Sequence, residues 1–183
     1  MKKIMRGVFY SSFLTLIFCA TVGAGETFLE MSGPPSQGTT TFLFHVKTSL
    51  DEDDAQICVA PNVAWAARNK GYEVALLFDG SAVTSVKKGG FLKSDETDMD
   101  RADLPERERK ALSEQFNYPL AGIPHNYGEY LHFLKKLGVK LYINRTMMRL
   151  YKIEPEQIDK NLKPVSLPEM IDLIKNSDFY VAY

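Results

Sequence analysis

Residues 41 to 47 read Thr41-Phe42-Leu43-Phe44-His45-Val46-Lys47, and residues 71 to 78 read Gly71-Tyr72-Glu73-Val74-Ala75-Leu76-Leu77-Phe78. Both runs are rich in aliphatic, aromatic and β-branched residues with little polar alternation, the pattern of strands buried on both faces. Between them, Asp51, Glu52, Asp53 and Asp54 open the segment Asp51 to Lys70, and Gly71 follows its end. Negative charge suits the free amides and positive pole of a helix start, and glycine suits the left-handed residue that closes a helix. Strand, helix and strand in this order make a parallel crossover, because parallel neighbours cannot be joined by a tight turn. Pro61 is the discordant residue: with no amide proton and a ring that crowds the preceding turn, it predicts a kink or a break in that helix.

Downstream, the same alternation continues. Tyr130, Leu131, Leu134 and Leu137 recur at helical spacing over Tyr127 to Leu137, Gly138 ends them, and Val139 to Ile143 reads as a further strand. A helical segment from Thr146, another around Pro155 to Lys160, a short strand at Lys163 to Val165, a helix from Pro168 to Asn176 and a strand from Asp178 to Ala182 complete the pattern. Between 88 and 126 the periodicity weakens, and Gly89, Gly90, Pro105, Pro119, Gly122 and Pro124 punctuate an irregular excursion with one short helix near Glu106 to Phe116. The expected fold class is α/β: a single three-layer domain over 41–183, with about five strands in a mainly parallel sheet and helices on both faces.

Upstream, Lys2, Lys3 and Arg6 precede an apolar run from Val8 to Phe18, and small or tolerated residues stand at Val22 and Ala24. This three-part layout predicts a signal peptide over 1–24, cleaved after Ala24, and hence a periplasmic or secreted protein with no membrane attachment after cleavage. The run falls short of the roughly 20 residues a membrane span needs. Lipoprotein processing at Cys19 is disfavoured by the bulky Phe18 just before it. Residues 25–40, with Gly33, Pro34, Pro35, Ser36, Gln37 and Gly38, read as a flexible arm. Removing the first 24 of 183 residues leaves 159, enough for one core and too few for two. That leader holds three of the 22 basic and none of the 23 acidic residues, so the remaining chain is mildly acidic and offers no electrostatic reason to bind nucleic acid. Cys58 would be its sole cysteine, which excludes an intramolecular disulfide and zinc sites of the paired-cysteine type.

In an open parallel sheet the usable crevice lies beyond the carboxyl ends of the strands. This rule selects the loops Thr48-Ser49-Leu50-Asp51, Asp79-Gly80-Ser81 and Asn144-Arg145-Thr146, and within them Thr48, Ser49, Gly80, Ser81, Asn144, Arg145 and Thr146 as candidate ligand or partner contacts. The loop at 48–51 has no glycine for a phosphate cradle, and Asp51 to Asp54 would repel phosphate at the helix start, so nucleotide binding is set aside and no cofactor is expected. Arg145 and Thr146 have the chemistry to hold a small anion at a helix start.

The strand ending in Thr48-Ser49, the helix with alanines at 55, 60, 64 and 67, and the step Phe78-Asp79-Gly80-Ser81-Ala82-Val83 together resemble the DsrE/DsrF-like, sulfur-relay family. So do Leu137-Gly138-Val139-Lys140-Leu141-Tyr142-Ile143, Pro164-Val165-Ser166-Leu167-Pro168-Glu169-Met170 and Ser177-Asp178-Phe179-Tyr180-Val181-Ala182-Tyr183. The resemblance spans about Thr41 to Tyr183, interrupted by the excursion. It implies a helix-flanked sheet, assembly into homo- or hetero-oligomers of related subunits, and, in active members, a persulfide carried on a cysteine after the third strand. At those positions this chain has Asn144 and Met147. An amide and a thioether cannot become the thiolate that carries sulfur. The expectation is therefore a binding or accessory protein linked to sulfur metabolism, without catalytic residues of its own at that loop and with an exported protein as a possible partner. The alternative is a sulfurtransferase working through Cys58 or a partner's cysteine, although a lone helical cysteine ordinarily serves as apolar filler.

His45 reads as a core histidine hydrogen-bonded inside a buried strand. His125 and His132 stand seven apart, but Pro124 puts His125 at the helix start and no third zinc ligand is evident, so no metal is expected. The carboxylates of Asp95, Glu96, Asp98, Asp100 and Asp103 lack the glycine and closing glutamate of a calcium loop and read as solvated.

Overall fold

A computed structural model describes residues 39–89 and 95–183. The signal peptide and nearly all of the arm expected over 1–40 lie outside the described residues. Within them the chain runs β1 (Thr41–Val46), α1 (Asp54–Asn69), β2 (Glu73–Phe78), α2 (Ala82–Ser85), α3 (Asp98–Arg101), α4 (Glu106–Phe116), α5 (Tyr127–Lys136), β3 (Lys140–Asn144), α6 (Arg145–Leu150), β4 (Lys163–Val165), α7 (Leu167–Lys175) and β5 (Phe179–Ala182). Short 3-10 turns lie at Leu120–Gly122 and Pro155–Gln157. The second of these replaces the helix expected around Pro155 to Lys160.

The five strands form one sheet in the order β4-β3-β2-β1-β5, and every neighbouring pair is parallel. Register fixes the two faces. Leu43 pairs with Ala75 and Tyr180, and His45 with Leu77 and Ala182, so these alternate positions share one face. Phe42, Phe44 and Val46 share the other with Val74, Leu76 and Phe78. That second face carries the main core, closed by Ile57, Ala60, Ala64 and Trp65 of α1 and by Tyr130 and Leu134 of α5. Trp65 is buried and meets Phe116 at 4.1 Å and Phe133 edge-on at 4.9 Å between ring centres. Such aromatic pairs are worth about 0.5–1.5 kcal/mol each beyond the area they bury. The first face is thinner: Leu43, Ala75, Leu77 and Val165 are covered by Met170, Leu173 and Ile174 of α7. Helices thus flank the sheet on both sides, as the strand and helix alternation predicts.

Local caps explain the helix limits. Asp53 caps α1 by accepting the amide of Gln56, so Asp51 and Glu52 precede the helix instead of forming its first turn. Gly71, at φ +87°, supplies the left-handed residue after the end. Pro61 does not break α1; the helix runs from Asp54 to Asn69 through it, with the proline buried in the core face. The expected break is absent because the ring fills apolar space, and tertiary packing offsets the missing backbone bond. In the 95–126 stretch, Thr97 and Asp100 form a reciprocal capping box on α3, and Met99, Leu104, Leu112 and Ile123 reach the main core. Asp100 thus serves as a helix cap, and Asp98 pairs with Arg101.

Candidate functional site

Four side chains, from three strands and the loop after β2, meet towards the carboxyl end of the sheet. His45 stands near the end of β1, Asp79 directly after β2, Asn144 at the end of β3 and Tyr180 on β5. Parallel pairing puts His45, Asp79, Asn144 and Tyr180 on the face covered by α7. His45 Nε2 lies 2.9 Å from Asp79 Oδ2, and His45 Nδ1 lies 2.7 Å from the Tyr180 hydroxyl. Asn144 donates its amide to Asp79 Oδ1 at 2.7 Å. The result is one hydrogen-bonded chain: Asn144, Asp79, His45, Tyr180.

The direction of each bond follows from charge. Donation by the His45 ring holds the Asp79 carboxyl down at about 2, helped by the Gly80 backbone amide and the Asn144 amide, against a smaller opposing effect of burial. Asp79 is therefore ionised at neutral pH and only accepts. A neutral His45 must then carry its proton on Nε2, leaving Nδ1 to accept the Tyr180 hydroxyl. Burial, and next to it the Asp79 charge, raise the Tyr180 phenol above its usual range, so the phenol stays protonated and donates inward. His45 is 5% exposed and the Asp79 side chain 15%, whereas Tyr180 is 46% exposed. The chain thus begins in the protein and ends in solvent.

The loops chosen from sequence surround this chain. Gly80 has φ +53°, and a Cβ there would stand 2.6 Å from the Lys47 carbonyl oxygen, so glycine is what lets the β2 loop lie against the end of β1. The Ser81 hydroxyl accepts the Ser49 amide at 3.1 Å and bonds Glu52, tying the two loops together. Thr48 is half-buried in the first loop. Arg145 and Thr146 are exposed, but the Thr146 and Met147 amides an anion would use are taken by Asn144 Oδ1, at 2.8 and 3.4 Å. Both ends of the Asn144 amide are thereby occupied, and the residue is buried.

His45 is the core histidine expected from its strand, yet its two partners escape sequence reading. Asp79 lies 34 residues away and Tyr180 135 residues away, and only strand order makes them neighbours. Other groups lie elsewhere. His132 bonds Asp159 at 2.6 Å and His125 faces Arg109, so the two histidines serve different partners. Among the described residues no group of three or more potential ligands could hold a metal ion. Cys58 on α1 is half-buried on the opposite side of the sheet, and burial pushes its thiol up despite a hydrogen bond with Tyr127. A cavity of about 420 Å³ opens under α7 at the starts of the strands, lined by Thr41, Glu73, Lys140, Lys163 and Asp172. It does not reach the four-residue chain. A second, of about 340 Å³, lies beside α6 between Arg145, Arg149 and Lys152.

The architecture is a five-stranded parallel α/β sheet flanked by helices, with a polar chain at its carboxyl end. A solved structure of the YchN protein from E. coli has a similar fold: TM-score 0.54 and 13% identity, covering 80% of this chain and 100% of that one. No family model matches the chain. No curated protein matches it either.

Proposed function

We propose that this protein is an exported DsrE/DsrF-like binding or accessory protein, acting in oligomers or with an exported partner and linked to sulfur metabolism without carrying sulfur itself. The observation behind this reading is the commitment of Asn144. At the end of β3, where the family resemblance implies a sulfur-carrying cysteine, an amide caps α6 with one end and binds Asp79 with the other. Met147, one turn on, packs against the main core. Both side chains do structural work, and neither can form a thiolate. The burial that raises the Cys58 thiol disfavours a sulfurtransferase working through it.

The test is to incubate the folded full chain with a persulfide donor and record its intact mass. The expected result is no stable sulfur adduct. Sulfur retained on the protein, and lost in Cys58→Ser, would overturn the reading in favour of a carrier.

A further inference from the structure

Tyr180 is the solvent-facing end of an otherwise enclosed chain of hydrogen bonds, and the proposal of an accessory role leaves this unused. The arrangement satisfies the geometric requirements of an activated nucleophile: a hydroxyl within 2.7 Å of a base, and that base held by a third group at 2.9 Å. We propose that Tyr180 is a catalytic nucleophile for acyl transfer, with His45 as its base and Asp79 as the residue that positions His45.

The chemistry closes without further reagents. As the Tyr180 oxygen attacks an acyl carbon, its proton passes to His45 Nδ1, a C–O bond forms to the phenol, and the bond to the leaving group breaks. The imidazolium then returns that proton to the leaving group, and water later releases the acyl group as a carboxylic acid. Asp79, ionised and hydrogen-bonded to Nε2–H, stabilises the imidazolium in between. A free phenol and a free imidazole titrate about 3.5 units apart, and the burial that raises the Tyr180 phenol widens that gap, so the transfer is uphill and depends on the fixed Asp79 carboxylate to hold the imidazolium.

The phenol also sets the substrate class. An acyl-tyrosine is an aryl ester, so the donor must have a leaving group no more basic than a phenolate, at about 10 on the pH scale, as thiols at about 8.5 are. Thioesters and aryl esters qualify, and amides do not. The groups facing His45 are few: Asp79 from β2, Tyr180 from β5, and across Asp79 the uncharged Asn144 of β3, which itself touches the Met170 thioether of α7 at 3.8 Å. Lys47, two residues beyond His45, is exposed. Asp79 is the charge that acts on Tyr180.

The probe is p-nitrophenyl acetate with the full chain, read by peptide mapping of the acetyl group and by release of p-nitrophenolate. Tyr118 and Tyr151, 37% and 41% exposed, are internal controls with comparable access. Acetylation is expected at Tyr180 about 10²-fold faster than at either control, the scale of general-base assistance. Its rate should already be established at a pH well below that at which free phenols ionise. Tyr180→Phe should abolish this phase, His45→Gln should cut it by a similar factor, and Asp79→Asn should slow it while moving the pH midpoint. Equal labelling of the three tyrosines, or unchanged release by Tyr180→Phe, would overturn the proposal. Should His45→Gln fail to fold, Tyr180→Phe and the pH profile of the unaltered protein decide the matter alone. Because the readout involves no sulfur, it can succeed or fail independently of the persulfide experiment.

Discussion

Asn144 and Asp79, 65 residues apart in sequence, share a hydrogen bond of 2.7 Å that ties the end of β3 to the loop after β2. The same asparagine accepts two amides at the start of α6, so one side chain fixes three segments. Asn144→Ala should cost about 1–3 kcal/mol, the sum of a lost helix cap and a partly unpaired carboxylate. A urea titration measures it. A change within error would mean that water replaces both contacts.

Asp79 makes stability depend on acid. Its folded value of about 2 lies below the ordinary carboxyl value of 3.8, so its contribution is complete above about pH 5 and is lost as pH falls towards 2. Allowing for the solvent that reaches part of the side chain, the loss is on the order of 1–2 kcal/mol. Denaturant midpoints between pH 5 and 2 should decline less steeply in Asp79→Asn than in the unaltered protein. Parallel curves would count against the His45 bond.

Gly80 should tolerate no side chain. Alanine there would adopt a left-handed backbone and push its Cβ against the Lys47 carbonyl, which belongs to the main chain and cannot rotate away. Gly80→Ala should lower stability by about 1–3 kcal/mol. Thermal unfolding followed by circular dichroism reads this out, and an unchanged midpoint would contradict the close approach.

Tyr130 offers the opposite case. Its ring is fully buried and its hydroxyl finds no partner among the described residues. Tyr130→Phe keeps the ring and removes an unsatisfied polar atom, so stability should stay level or rise by up to about 1 kcal/mol. A clear loss would reveal a partner for that hydroxyl.

Cys58 should alkylate slowly. Burial raises its thiol, which depletes the thiolate that reacts. Iodoacetamide should modify the folded chain at least about tenfold more slowly than the chain in denaturant. Comparable rates would restore Cys58 as a candidate for sulfur chemistry.

How much of this was legible in the sequence differs between fold and site. Strand and helix alternation is written locally: Phe42 to Val46 and Val74 to Phe78 are apolar but for His45 because both faces of their strands are covered, and the helix end at Gly71 declares itself by residue type, whereas four successive acidic residues leave open which of them caps the start. Of the two outcomes expected at Pro61, the break does not occur, since its helical context depends on packing that no local rule contains. The rule about carboxyl ends of strands led to Gly80, Ser81 and Asn144, which do lie there. It reached Asp79 only as the first residue of the loop before Gly80, not as a partner of His45, and it did not reach Tyr180, because a carboxylate after a strand and a tyrosine within one are commonplace until strand order sets both beside His45. That Arg145 and Thr146 could hold an anion at this helix start was readable from residue type, but that Asn144 already caps the Thr146 and Met147 amides is a three-dimensional fact.

The position of β5 beside β1 has one more consequence. Edge strands are the least anchored part of a sheet, and this one brings Tyr180 to residues encoded more than a hundred positions earlier. With β5 detached, His45 would keep its bond to Asp79 but lack the hydroxyl that completes the chain. Fraying of four residues at the sheet's margin would therefore switch off the tyrosine while sparing the rest of the architecture. Local opening of β5, followed by amide exchange at Tyr180 and Val181, becomes a direct gauge of how often the site exists.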